Sequence, residues 1–139
     1  MADALEQFNQ HQMDTRNRLN FLIQSVLLLG GGALTASIAV FTGSRDIQLS
    51  DSLASTLGLA WWGLVASMCL AIVVVATVLL RDYWFAEKWR KQLDDPAYSF
   101  DDSPGIADFA IIALGLISLV CFLGGFVSLA YVATQVIIA

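Results

Sequence analysis

The chain has 139 residues, a net charge of −5, 58% hydrophobic residues and only 14% charged residues. Soluble domains carry about 25% charged residues, so this composition excludes an ordinary soluble globule and indicates a protein of the lipid bilayer. Nucleic acid is not an expected partner, because no dense run of Lys and Arg is free of acids. The two cysteines, Cys69 and Cys121, lie within apolar runs and are interpreted as small packing residues.

The N-terminal part of the chain combines a polar segment, residues 1–20, with an apolar run, residues 21–42. About 20 helical residues cross the hydrocarbon core of a bilayer, so the run predicts a transmembrane helix. The polar segment predicts a cytoplasmic helix continuous with it, because spacings of three and four residues continue through both parts. The positions of this seam are Leu5, Phe8, Gln12, Thr15, Leu19, Leu22, Val26, Leu29, Ala33 and Ala36. A cleaved signal peptide is the alternative, although the polar segment is long and contains acids.

The second apolar run, residues 53–80, also predicts a transmembrane helix. The segment that follows it, residues 81–93, has the sequence RDYWFAEKWRKQL and combines aromatic with basic side chains. Such residues gather where a helix leaves the bilayer, so the segment predicts an interfacial helix extension that contacts anionic lipid head groups. A docking surface for a particular lipid or protein partner is the alternative interpretation. The predicted anchoring residues are Arg81, Tyr83, Trp84, Lys88, Trp89, Arg90 and Lys91.

The last third of the chain predicts a cytoplasmic loop over residues 94–105 and a third transmembrane helix over residues 106–138. Ser103 followed by Pro104 is typical of a helix start, and Asp108 in the first turn complements the helix dipole. The four aspartates of the loop lack the spacing of a calcium-binding EF-hand loop. No metal site is therefore predicted, and a divalent-cation site is the alternative.

The distribution of Lys and Arg predicts the orientation of the chain. Six basic residues lie in the N-terminal segment and in residues 81–105, whereas only Arg45 lies in the loop between the first two helices. Because basic loops stay inside, the N-terminus and the long loop are expected in the cytoplasm and the C-terminus outside. The expected location is a bacterial cytoplasmic (inner) membrane.

Small residues in the three runs predict the faces through which the helices pack. In lipid, association depends on close approach of backbones, which Gly, Ala and Ser allow. The candidate positions are Gly30, Gly31 and Gly32 in the first helix, Gly63, Ser67 and Ala71 in the second, and Gly115, Ser118 and Gly125 in the third. Because every helix has such a face, we expect a homo-oligomer. A gate hinge at the triple glycine is the alternative interpretation.

The sequence contains no recognisable catalytic, cofactor-binding or phosphate-binding motif, and its only histidine, His11, has no partners at catalytic spacing. Its layout of a cytoplasmic helix and short-looped spans resembles small prokaryotic membrane proteins, including predicted membrane effectors of bacterial conflict systems. This likeness rests on layout and implies no residue roles. The sequence favours a non-catalytic structural or interaction subunit, with membrane lipids, further copies of itself and an unidentified protein as partners. The alternative is an oligomeric pore-forming effector or channel lined by weakly polar residues, namely Thr35, Ser37, Ser67, Thr77, Ser118 and Ser128.

Overall fold

The computed structural model describes residues 2–43, 48–94 and 105–138, without the side chains of residues 2–9, 11, 12, 15, 89 and 92–94. These residues form three α-helices: α1 (Ala2–Gly43), α2 (Asp51–Asp94) and α3 (Ile106–Ile138). Each helix contains a stretch long and apolar enough to cross a membrane, namely Arg16–Gly43, Asp51–Lys88 and Ile106–Ile138. The prediction of an all-helical chain with three such helices is confirmed, and it fits a membrane location.

The first residues of α2 and α3 satisfy the backbone groups that a helix start leaves free. At α2, the Ser50 hydroxyl accepts a hydrogen bond from the Leu53 N–H at 3.4 Å, as an N-cap does. At α3, the Asp108 carboxylate accepts a hydrogen bond from the Gly105 N–H at 3.1 Å, and the Asp108 N–H donates back to the Gly105 carbonyl at 3.0 Å. The predicted start signal at residues 103 and 104 lies outside the described residues.

Helices α2 and α3 are the most closely packed pair. A Cβ atom added to Gly125 would lie 2.9 Å from Leu64 Cγ and 3.1 Å from the carbonyl oxygen of Ala60, so a larger residue would force the helices apart. On the facing side, a Cβ atom added to Gly63 would lie 3.3 Å from the carbonyl oxygen of Cys121. Such close approach replaces the hydrophobic effect as the source of association between helices in lipid.

Helix α1 is antiparallel to α2 and has fewer contacts with the other two helices. Its buried side chains, Ile23 and Val26, pack with Ala71 and Val74 of α2. Farther along α1, the hydroxyl group of Ser37 accepts a hydrogen bond, 2.9 Å long, from the indole N–H of Trp61 in α2. Contacts between α1 and α3 are the sparsest in the bundle.

At alternate positions the predicted seam of α1 is exposed within the single chain. Leu22 and Leu29 are 49% and 55% exposed, and Ala36 is also exposed. The buried face instead contains Ile23, the residue after Leu22, and Gly30, the residue after Leu29. On this side Ile23 packs with Ala71 and Val74 of α2, and an added Cβ on Gly30 would lie at ordinary contact distance, 3.4 Å, from Met68 Cγ. The seam positions before residue 16 lie outside the described side chains.

Candidate functional site

Four charged side chains connect the three helices at one end of the bundle, which we call the charged end. Arg16 of α1 contacts Asp82 of α2, with 3.4 Å between Nη2 and Oδ1. Arg81 of α2 lies 3.6 Å from the same Asp82 oxygen through its Nε and pairs with Asp108 of α3 through Nη1. The contacts Arg16–Asp82–Arg81–Asp108 therefore extend across all three helices, and we call these four residues the charge cluster.

The charge cluster is electrically balanced, because two guanidinium groups face two carboxylates. The four side chains are 31–55% exposed, so water and salt screen each pair. An ion pair of this exposure contributes about 0–1 kcal/mol to stability. The cluster therefore links the ends of the three helices but contributes little to the stability of the bundle.

A narrow apolar crevice of about 40 Å³ lies between α1 and α3 near the charge cluster. All three helices line it, through residues that include Leu19 and Ile23 of α1, Ala71 and Val74 of α2, and Gly115 and Leu119 of α3. Gly115 leaves part of one wall empty, because an added Cβ would meet no atom within 4 Å. The Ser118 hydroxyl also borders the crevice but already donates a hydrogen bond to the Ser67 carbonyl at 2.8 Å.

Beyond the charge cluster, α2 continues to Asp94 and presents the predicted aromatic and basic anchors. Tyr83 and Trp84 are 68% and 66% exposed. Lys88, Arg90 and Lys91 are exposed as well, and Arg90 pairs with Glu87 at 3.0 Å. Arg81 differs from these anchors because it is engaged in the charge cluster. The predicted anchor Trp89 lies in the helix, but its side chain falls outside the described part.

The predicted small-residue positions are used unequally within the bundle. Ser67 is 0% exposed, Ala71 3% and Ser118 4%, and Gly63 and Gly125 lie where α2 and α3 cross closely. On α1, Gly30 is buried against α2, and an added Cβ on Gly31 would meet only Met68 Sδ, at 3.9 Å. An added Cβ on Gly32 or Gly115 would meet nothing within 4 Å. Among the cysteines, both of which are free, Cys69 is exposed on α2 and so does not pack within the bundle as interpreted.

The hydroxyl groups proposed to line a pore are in different environments within the chain. Ser37 accepts from Trp61 and donates to the Leu34 carbonyl, and Thr77 donates to the Val73 carbonyl. Ser67 Oγ is buried and has no hydrogen-bond partner among the described residues. Leaving such a donor unpaired costs about 1–3 kcal/mol, which marks Ser67 as an uncompensated polar group in the α2–α3 contact.

Sequence reasoning missed Arg16 and Asp82 as members of one site. Both lie just outside apolar runs, Arg16 before the first run and Asp82 after the second. Antiparallel packing of consecutive helices brings those two ends together, so opposite charges at matching ends were the available signal. Compared with protein-family models, curated proteins and solved structures, the chain gives no match.

Proposed function

We propose that the chain is a small multi-pass protein of a bacterial cytoplasmic membrane that acts as a non-catalytic structural or interaction subunit and associates with further copies of itself. In this proposal the charged end of the bundle faces the cytoplasm. The exposed basic and aromatic residues at the end of α2 contact anionic head groups there, and the C-terminus lies on the opposite side. An unidentified protein partner binds the same assembly.

The outward face of α1 is the observation that supports self-association best. This face contains the small residues Gly32, Ala36 and Ala39, all of which are exposed in the single chain. They follow spacings of four and three residues and so lie along one side of the helix. A second backbone can approach closely at such a surface, and in lipid close approach is what holds helices together.

The size of the purified particle in mild detergent tests this proposal. We expect the wild-type particle to contain more than one chain and the double variant Gly32→Leu with Ala36→Leu to be smaller, because leucine side chains keep the second backbone away. Ala76→Leu is the matched control, since Ala76 is an exposed small residue on α2. A monomeric wild-type particle in detergent and in lipid nanodiscs would refute self-association.

Ion flux into liposomes distinguishes the proposed structural or interaction subunit from the alternative, a pore-forming oligomer. Purified protein reconstituted into liposomes is expected to leave the leak at the level of empty liposomes. Flux that grows with the protein-to-lipid ratio would instead favour a pore built from several chains. Co-purification from native membranes would identify the protein partner.

A further inference from the structure

The crevice between α1 and α3 opens onto the outer surface of the bundle. Leu22, which lines it on the α1 side, is 49% exposed. Its lining is almost entirely apolar, and the one hydroxyl that borders it already donates to a carbonyl. In a bilayer such a crevice faces acyl chains, which make better contact with its walls than an empty gap does.

The crevice lies at the depth where the acyl chain of a lipid held at the charged end would begin. Leu19 follows Arg16 by about one helical turn, or about 5 Å along the axis of α1. Val74 and Gly115 lie about two turns, or about 10 Å, from Arg81 and Asp108 on their own helices. A phosphate at the level of the arginines would thus have its glycerol and the first methylene groups at the level of the crevice.

Arg16 is the member of the charge cluster best placed to accept a phosphate. Its guanidinium carries several N–H donors, and among the described residues only Nη2 is engaged, at 3.4 Å from Asp82. Its side chain is 55% exposed, which leaves room for a ligand beside the ion pair. Arg81, by comparison, contacts both Asp82 and Asp108. Charge-assisted hydrogen bonds from Arg to phosphate are among the strong ones in proteins.

We propose that the crevice and Arg16 together form a binding site for one phospholipid, with an acyl chain between α1 and α3 and the phosphate on the Arg16 guanidinium. This inference rests on the proposed membrane location and names a specific lipid contact within it. The first methylene groups of the acyl chain fill the gap beside Gly115, and the phosphate contact distinguishes the bound lipid from the lipids of the surrounding bilayer. The lipid contacts both α1 and α3, where the protein itself makes few contacts.

Lipid binding to the full-length protein in detergent tests the proposal. The probe is phosphatidylglycerol added at increasing concentration, and native mass spectrometry counts the lipids that each protein particle retains. We expect one saturable site per chain in the wild type. Arg16→Gln is expected to weaken binding at this site about tenfold, the effect of one lost charged hydrogen bond. Gly115→Leu is expected to abolish the saturable site, because the leucine side chain occupies the crevice.

Two control variants separate the site from general changes in the bundle. Gly124→Leu also replaces a glycine whose added Cβ would meet no atom within 4 Å, but Gly124 lies outside the crevice, so binding is expected to be unchanged. Asp82→Asn breaks the same ion pair as Arg16→Gln but keeps the guanidinium, so we expect wild-type or stronger binding. Weakening by Asp82→Asn equal to that by Arg16→Gln would overturn the proposal, because the ion pair and not the phosphate contact would then matter.

The remaining outcomes distinguish this inference from the proposed function. Equal lipid retention by the wild type, Arg16→Gln and Gly115→Leu would overturn the lipid site, since only non-specific lipid would be bound. That result would leave self-association untouched if the particle size stayed the same. A smaller particle for Gly115→Leu with unchanged lipid retention would instead assign the crevice to contact with a second copy of the chain.

Discussion

Gly125→Ala is the substitution that most directly tests the close contact between α2 and α3. The added methyl group would lie 2.9 Å from Leu64 Cγ, 3.0 Å from Leu64 Cδ2 and 3.1 Å from the carbonyl oxygen of Ala60. The Leu64 side chain can change its rotamer, but the Ala60 carbonyl belongs to the helix backbone and moves only with α2. The variant must therefore push the two helices apart at this crossing.

The required displacement sets the size of the effect. The Ala60 carbonyl oxygen, 3.1 Å from the added Cβ, has to move away by a few tenths of an ångström, and this part of the displacement falls on the backbone of α2. Even a small separation weakens the attraction between the other atoms across the interface, because dispersion falls steeply with distance. The Ser118–Ser67 hydrogen bond, 2.8 Å long, lies about two turns away on the same interface and is expected to lengthen too. Overpacking of this kind costs about 1–3 kcal/mol.

Unfolding in mild detergent titrated with a denaturing detergent, followed by far-ultraviolet circular dichroism, measures this cost. Gly124→Ala is the matched control, because its added methyl group meets no atom within 4 Å and alanine favours the helix as much as it does at residue 125. We expect Gly125→Ala to unfold at a lower denaturant fraction than both the wild type and Gly124→Ala. Equal stability of the two alanine variants would refute the close contact of α2 with α3 at this crossing.

Three other expectations address orientation, anchoring and the buried serines. Reporter fusions after residue 19 and within residues 95–103 should report the cytoplasm and fusions after residues 48 and 139 the outside; a cytoplasmic C-terminus would contradict the three-span topology. The second expectation concerns replacement of the basic residues Arg81, Lys88, Arg90 and Lys91 by glutamine. Two basic residues then remain on the cytoplasmic side against one outside, so we expect mixed fusion signals and weaker retention on anionic vesicles at low salt. Ser118→Ala should destabilise the bundle by about 0.6 kcal/mol, because its hydrogen bond is lost. Ser67→Ala should be neutral or stabilising, because the Ser67 hydroxyl has no partner among the described residues. The reverse order of stability in detergent unfolding would contradict this assignment.

The helical spans were predictable from sequence because a bilayer leaves a long apolar run few alternatives. Without water, each backbone N–H and C=O must be satisfied within the segment, so a run such as residues 106–138 becomes a helix whatever its neighbours are. The side of a helix that faces its neighbours is less strongly encoded. On α1 both Leu22 and Ile23 are apolar, and hydropathy alone does not decide between them. The packed bundle places Ile23 on the buried side, where it packs with Ala71 and Val74 of α2.

The charge cluster and the crevice depend on relations between helices that no single segment contains. Asp108 was expected to complement its own helix dipole, and it does cap α3, but its partner Arg81 comes from another helix. The crevice depends on a missing side chain at Gly115, and a glycine in an apolar run indicates a close contact as readily as a gap. Gly63 and Gly115 illustrate both cases, because an added Cβ at Gly63 would crowd α3 while one at Gly115 would meet nothing.

The unequal packing of the three helices has a consequence for how the bundle responds to its surroundings. The α2–α3 pair is held by backbone contacts at Gly63 and Gly125 that neither salt nor lipid can replace. Polar attachment of α1 depends instead on the Trp61–Ser37 hydrogen bond, worth about 0.6 kcal/mol on average in a membrane, and on a half-exposed ion pair worth about 0–1 kcal/mol. Salt screens the second of these, and a phosphate competes with Asp82 for Arg16. We therefore expect changes in lipid or ionic strength to shift the position of α1 while α2 and α3 stay paired.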